Sequence, residues 1–134
     1  MRNKRKQNNK WVLVFSGYNQ RSVISFLRTL TALRVNFLIM AASPNDSILL
    51  TEYKRYVAAI RPSKQLNVDE LLSLIKDVKN KFGIEQLVIA PSTEFLNRFL
   101  IDNRNPFESI GCTIPIVAKE LYEKISDKLS FSRL

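Results

Sequence analysis

The chain has 134 residues, of which 46% are hydrophobic, and its formal net charge is +9. This length suits one domain with a substantial core. Histidine is absent and Cys112 is the only cysteine, which excludes histidine-based nucleophilic catalysis, an intrachain disulfide and metal sites rich in histidine or cysteine.

The positive charge is concentrated at the start of the chain. Five basic residues and no acid occur among the first ten residues, so the remainder is only mildly basic. A short polar segment of this kind is typically solvated, and residues 1–10 are therefore predicted to form a basic disordered leader, with no nucleic-acid partner expected. The apolar runs at 11–15 and 37–42 are too short for a signal peptide or a membrane span. A cytoplasmic protein without membrane contact is expected.

The first half of the chain alternates between apolar runs and amphipathic segments. A continuous apolar run predicts a strand covered on both faces, and apolar residues at helical spacing predict a helix with one buried side. Ser43 and Pro44 also mark a helix start, with serine as the cap and proline at the first helical position. The predicted elements are a strand at 11–15, a helix at 23–33, a strand at 37–42, a helix from 43 to about 55 and a strand at 56–60.

The second half continues the alternation. Asn67 is predicted to cap a helix in which Glu70 lies three residues on, and Gly83 supplies the left-handed residue that ends it. The elements predicted here are a helix at 67–82, a strand at 87–90, a helix beginning near Glu94, a strand at 112–117 and a helix at 118–125. Together the two halves predict a three-layer, Rossmann-like α/β domain at 11–134. Its mostly parallel sheet would have about five strands, with helices on both faces.

The turn after the first strand does not carry a dinucleotide-binding pattern. That pattern needs several glycines so that the backbone can approach a pyrophosphate. Here the turn contains Gly17 alone, and no P-loop signature occurs in the chain. A nicotinamide or flavin cofactor is therefore not expected, and the chain alone is expected to bind no cofactor.

Polar residues follow the first and fourth predicted strands. If these two strands are neighbours, the polar groups converge at one crevice, where open α/β sheets bind ligands. A small polar substrate would suit them, but no nucleophile and base pair is evident, so no catalytic residue and no metal ligand is assigned. The alternative that these are only turn and cap residues stays open. The candidate substrate-binding residues are Ser16, Gly17, Tyr18, Asn19, Ser92, Thr93 and Glu94.

Residues 84–134 resemble the second half of the pre-ATP-grasp domain, which opens ATP-grasp enzymes such as carbamoyl phosphate synthetase large subunits, biotin carboxylase and D-alanine ligases. The carbamoyl-phosphate-synthetase-like group is the most similar. There, a strand ending in P-[ST]-x-E precedes a helix, and an aspartate-lysine pair followed by an aromatic residue leads into the ATP-binding part. Pro91-Ser92-Thr93-Glu94 and Asp127-Lys128, with Phe131, stand in those places. The layout of the first half also fits, although its first turn has one glycine where relatives often have two.

The resemblance implies the N-terminal substrate-cleft domain of an ATP-dependent carboxylate-amine or carboxylate-thiol ligase. Glu94 would orient a small carboxylate-type substrate, the Gly17 turn would supply backbone donors, and Lys128 would approach the nucleotide. ATP and magnesium are implied for the full-length parent, and the domain is expected to end before the ATP-binding part. The chain alone would then be inactive and would need an ATP-grasp catalytic domain in cis or in trans.

Three alternatives stay open at this point, one of which is nucleic-acid binding through the basic leader at residues 1–10. The chain could be a stand-alone Rossmann-like binding or interaction domain that works with a separate partner chain, and Lys128 could be an exposed helix lysine. The identity of the substrate, the acceptor nucleophile and the oligomeric state, a homodimer included, are not determined by the sequence.

Overall fold

Five strands form one parallel sheet in this computed structural model, which describes residues 10–17, 19–62, 65–90 and 94–114. Every neighbouring pair of strands is parallel, and the order across the sheet is β3-β2-β1-β4-β5. The strands are β1 (Lys10–Phe15), β2 (Phe37–Ala41), β3 (Val57–Ile60), β4 (Gln86–Ala90) and β5 (Cys112–Thr113). The winding of the chain therefore reverses between β1 and β4, which confirms the predicted Rossmann-like α/β fold.

Helices cover both faces of the sheet. The α-helices are α1 (Gln20–Ala32), α2 (Val68–Phe82), α3 (Glu94–Asp102) and α4 (Arg104–Ser109). Alternate residues of the strands point to opposite faces, so each face has its own apolar core. On one face, Val12 and Val14 pack in a cluster with Leu27 of α1. On the other, Leu13 and Phe15 belong to a cluster with buried residues of α2, α3 and α4. This is the three-layer arrangement that the sequence predicts.

The boundaries of α2 follow the predicted signals. The Asn67 side chain accepts a hydrogen bond from the Glu70 backbone N–H at 3.0 Å. Gly83 ends the helix in the left-handed region, with φ of 65°. Acidic residues in the first turn and lysines in the last turn complement the helix dipole. Local chemistry therefore determines this helix.

The predicted helix from Ser43 to about residue 55 is wrong. Two 3-10 helices, Ser47–Leu50 and Glu52–Tyr56, occupy this segment instead. Ser43 is used in a turn, where its carbonyl accepts from the Asp46 N–H at 3.1 Å. Asp46 is the residue that caps the first 3-10 helix, accepting from the Ile48 N–H at 3.0 Å.

The second region of difference is the end of the described chain. Helix α4 was not predicted as a separate element, and it follows α3 after Asn103 alone. Strand β5 covers Cys112–Thr113, and Ile114 follows it outside the strand. Residues 115–117 of the predicted strand and the predicted helix at 118–125 lie outside the described residues. Among the helices that the structure describes, none is both long and apolar enough to cross a membrane.

Candidate functional site

The carboxyl ends of β1 and β4 lie side by side. Val14 is paired with Ala90 and Leu13 with Ile89, so the turn after β1 and the segment after β4 leave the same edge of the sheet. The first and fourth strands are therefore neighbours, which is the condition for a shared crevice. The carboxyl ends of these two strands and the segments that follow them are called here the switch-point site.

Gly17 begins the first wall of this site. Its φ of 107° lies in the left-handed region, which favours glycine. A Cβ at this position would overlap the Cβ of Ala42 and would lie 3.3 Å from Asp46 Oδ2. The turn after β1 therefore needs glycine because it packs directly on the chain that leaves β2.

Asp46 connects the two turns. Its Oδ1 accepts from Ser16 Oγ at 3.1 Å, from Gln20 Nε2 at 3.0 Å and from the Ile48 N–H at 3.0 Å. Its Oδ2 accepts from the Ala42 N–H at 2.9 Å. The residue is only 7% exposed, and its carboxylate oxygens accept hydrogen bonds that hold the two turns together. We therefore assign Asp46 a positioning role and no role as a base.

Gln20 completes this hydrogen-bond cluster. Its Oε1 accepts from the Gly17 N–H at 3.2 Å, and its Nε2 donates to Ser47 Oγ at 3.0 Å as well as to Asp46. Ser16 Oγ lies within hydrogen-bond distance of both Gln20 Oε1 and Asp46 Oδ1. The single hydroxyl proton of Ser16 is donated preferentially to the Asp46 carboxylate, because a charged acceptor forms the stronger hydrogen bond. The sequence predicts that the Gly17 N–H donates to a substrate. In the structure it donates to Gln20 instead.

The predicted site residues are placed as follows. Ser16 is fully buried and lies behind the turn, whereas Asn19 is exposed at the N-terminus of α1. Asn19 adopts φ of 43°, and its side chain makes no capping hydrogen bond to described residues. Glu94 is the first residue of α3, as predicted for a carboxylate in the first turn. Tyr18, Ser92, Thr93, Lys128 and the side chain of Glu94 lie outside the described residues.

Arg61 is a residue of this sheet edge that the sequence prediction missed. It follows β3, its backbone N–H donates to the Ala41 carbonyl at 3.0 Å, and its side chain is fully buried. The Nη2 atom donates to the Gln65 carbonyl at 3.4 Å. No local pattern predicts burial of an arginine, although its position directly after an apolar strand places it at the edge where ligands bind.

The described residues of the switch-point site do not fit ATP with magnesium. No group of three or more cysteine, aspartate or glutamate side chains that could hold a metal ion occurs in the described part of the chain. The N–H of the only glycine in the first turn donates to Gln20.

Burial raises the pKa of the Cys112 thiol from 9.0 to about 11, with the charge of Lys79 opposing this shift. A thiol of that pKa is a poor nucleophile at neutral pH.

Comparisons of the chain with protein-family models, with curated proteins and with solved structures found no match. Function is therefore inferred from the residues of the chain and the geometry of its sheet.

Proposed function

We propose that this chain is the N-terminal substrate-cleft domain of an ATP-grasp ligase of the carbamoyl-phosphate-synthetase-like kind, which joins a carboxylate to an amine or thiol. The observation that carries the proposal is the direct pairing of β1 with β4, with Val14 opposite Ala90. This pairing supports one cleft formed by the turn after β1 and the start of α3. The Pro91-Ser92-Thr93-Glu94 segment, on which the resemblance rests, leads from β4 into that helix.

The two walls would have different tasks. On the first wall, the Asp46 and Gln20 side chains hold the Gly17 turn in one conformation, and a preorganised wall binds substrate without further ordering. On this wall, Tyr18 and Asn19 would contact the substrate. On the second wall, Glu94 would accept a hydrogen bond from a donor group of the substrate.

The second wall would also favour the carboxylate end of the substrate. The first backbone N–H groups of α3 lack partners within the helix and carry partial positive charge. The hydroxyl groups of Ser92 and Thr93 immediately precede them in sequence. We expect these donors to orient a small carboxylate-type substrate for reaction.

The ATP-dependent chemistry would belong to another domain. An ATP-grasp catalytic domain, in the same chain or in a separate one, would bind ATP and magnesium and would supply phosphoryl transfer to the carboxylate. Because the resemblance assigns the catalytic parts to that other domain, this domain would be inactive alone. Lys128 would neutralise phosphate charge at the boundary between the two domains, as a lysine does as a point charge.

Nuclear magnetic resonance of the ¹⁵N-labelled chain tests substrate binding directly. Titration with bicarbonate, acetate and L-aspartate as separate probes should shift the backbone amides of Gly17, Asn19 and Glu94 in a saturable way. Glu94→Gln should weaken the binding of the responding probe about fivefold or more, as expected when a charge-assisted hydrogen bond is lost. Its melting temperature should stay close to that of the native chain.

Glu70→Gln is the matched control, because Glu70 also lies in the first turn of a helix that begins at this edge. It should leave probe binding unchanged. If no probe shifts these amides, or if both variants weaken binding equally, the substrate-cleft proposal is wrong.

The alternative is a stand-alone binding or interaction domain that works with a separate partner chain. Two large apolar side chains favour it: Leu50 is 89% exposed and Phe95 is 73% exposed. Both belong to elements that follow the carboxyl ends of strands, and a contiguous apolar patch at this edge would be typical of a contact surface. The purified chain should then form a stable complex with a separate ATP-grasp chain, measured by light scattering. Leu50→Ser with Phe95→Ser should weaken that complex, and a chain that remains monomeric in the mixture would exclude this alternative.

A further inference from the structure

A groove lies at the amino edge of the sheet, at the opposite end of the strands from the switch-point site. Its volume is about 510 Å³, which is within the usual size range of small-molecule sites. The amino-edge groove is defined here by four aromatic rings and two cations: Trp11, Phe37, Tyr56, Phe82, Arg34 and Arg55. None of these residues takes part in the substrate cleft proposed above.

The aromatic rings come from four different elements. Trp11 of β1 and Phe82 at the end of α2 have ring centroids 6.3 Å apart, with the rings tilted by 42°. Phe37 of β2 and Tyr56 have centroids 4.6 Å apart. Phe37 is buried, whereas Trp11 and Tyr56 are partly accessible and Phe82 is 41% exposed. The groove therefore offers aromatic surface to a ligand.

Positive charge surrounds these rings. Arg34 and Arg55 are exposed, and no acidic residue lines the groove in the described chain. The Arg55 guanidinium lies 5.3 Å from the centroid of the Tyr56 ring, and Lys81 Nζ lies 5.7 Å from that of Phe82. The carboxyl ends of α1 and α2 place partial negative charge at this edge, but that effect fades within one helical turn and amounts to about half a charge per helix.

The first strand adds further charge at the same edge. Lys10 is the first residue of β1 and therefore lies at the amino edge. Four more basic residues precede it in the chain with no intervening acid: Arg2, Lys4, Arg5 and Lys6. Lys10 therefore adds to the positive charge of Arg34 and Arg55 at this edge, and positive charge attracts phosphate groups.

We propose that the amino-edge groove binds a nucleotide unit. A base would stack on the accessible aromatic surface of Trp11 and Phe82, and the phosphate would pair with Arg34 and Arg55. Stacking of bases on aromatic rings beside cationic side chains is the combination by which proteins hold unpaired nucleotides. The unit would be either a free nucleotide or one residue of a single-stranded nucleic acid, since both present the same base and phosphate.

Trp11 is the only tryptophan of the chain, so its fluorescence reports directly on this groove. In magnesium-free buffer of low salt, four probes distinguish the contributions: AMP, adenosine, ribose 5-phosphate and a 12-residue oligouridylate. Saturable quenching by AMP would identify a free nucleotide as the ligand, and quenching by the 12-mer alone would identify a strand. Adenosine and ribose 5-phosphate should each bind more weakly than AMP if base and phosphate both contribute.

Two variants test the arginines. Arg34 has φ of 58°, and asparagine tolerates this left-handed conformation, so Arg34→Asn removes the charge with little strain. Arg55→Gln removes the second charge. Each should weaken binding of the quenching probe about fivefold or more, because phosphate contacts dominate such affinities. Arg28→Gln, an exposed arginine of α1 outside the groove, should change it less than about twofold.

The leader is tested separately by replacing its four basic residues before Lys10 with glutamine. The proposal predicts that probe binding still quenches the Trp11 fluorescence of this variant, and that the binding affinity depends less on salt concentration than in the native chain. It is overturned if no probe quenches Trp11 fluorescence, or if Arg34→Asn and Arg55→Gln bind like the native chain. It is also overturned if the leader variant loses all binding while the two arginine variants keep theirs. These outcomes are independent of the substrate cleft, because the probes lack a carboxylate and the groove lies at the other end of the sheet.

Discussion

Gly17 lies so close to Ala42 that a methyl group on residue 17 would overlap the Ala42 side chain. The two residues leave adjacent parallel strands, β1 and β2, and their contact joins the first turn to the second. The single glycine of this turn is therefore explained by packing within the protein. A glycine that makes room for a bound pyrophosphate would have no such neighbour.

Gly17→Ala is expected to lower the free energy of unfolding by about 2–4 kcal/mol, because it adds both a backbone strain and an overlap in a packed site. Urea denaturation followed by circular dichroism measures this change. Gly83→Ala is the control, since Gly83 has φ of 65° but nothing within 4 Å of the added Cβ. It should cost only about 1–2 kcal/mol. Equal losses in both variants would show that the Ala42 contact is unimportant.

Asp46→Asn is expected to destabilise the fold by about 2–4 kcal/mol. The carboxylate accepts four hydrogen bonds, and an amide has only one oxygen with which to accept them. Amide hydrogen exchange at Ala42 and Ile48 should accelerate relative to the native chain. Ser43→Ala provides the comparison, because the Ser43 side chain accepts from the Asn45 N–H in an exposed turn. That variant should cost less than about 1 kcal/mol, and a similarly small cost for Asp46→Asn would contradict the positioning role.

Cys112 should make the chain less stable in alkali. Burial raises the pKa of its thiol from 9.0 to about 11, so between these pH values the unfolded chain loses a proton that the folded chain keeps. The stabilisation is complete below pH 9 and falls as the pH rises towards 11, by up to about 3 kcal/mol. Unfolding in urea at pH 8, 9.5 and 10.5 measures the decline.

Cys112→Ala isolates the contribution of this thiol to the pH dependence of stability. The variant should show a shallower loss of stability with pH than the native chain. Identical pH profiles for the two chains would mean that the thiol is not buried as described. In the native chain at pH 8, alkylation of Cys112 should also be slow until urea unfolds the protein.

Arg61→Lys is expected to lower the free energy of unfolding by about 1–3 kcal/mol. The Arg61 side chain is fully buried and donates to the Gln65 carbonyl, and an ammonium group cannot reproduce the planar set of guanidinium donors. Arg28→Lys, at an exposed position of α1, should change stability by less than about 0.5 kcal/mol. Thermal unfolding of the two variants in parallel gives the comparison, and equal melting temperatures would refute the role assigned to Arg61.

The sequence by itself determined the five strands, the helices at 20–32 and 68–82, the start of the helix at Glu94 and the parallel character of the sheet. Those features depend on short-range patterns: the apolar run of β4, the helical spacing in α2, and the cap and stop supplied by Asn67 and Gly83. Each of these signals involves residues within a few positions of one another. Local physics therefore decides them before the chain is packed.

The tertiary structure decided the strand order, the use of Asp46 and the burial of Arg61. Ser43 and Pro44 carry a good helix-start signal, yet the chain after β2 forms a turn and two 3-10 helices, and the Asp46 carboxylate caps the first of them. The reason is that Asp46 gains three further hydrogen bonds in this arrangement, including one to Ser16, which is thirty positions away in the sequence. Likewise, only the folded sheet brings Trp11 and Phe82 together at the amino edge. Contacts between residues so distant along the chain leave no local pattern, because their energy exists only once the strands have paired.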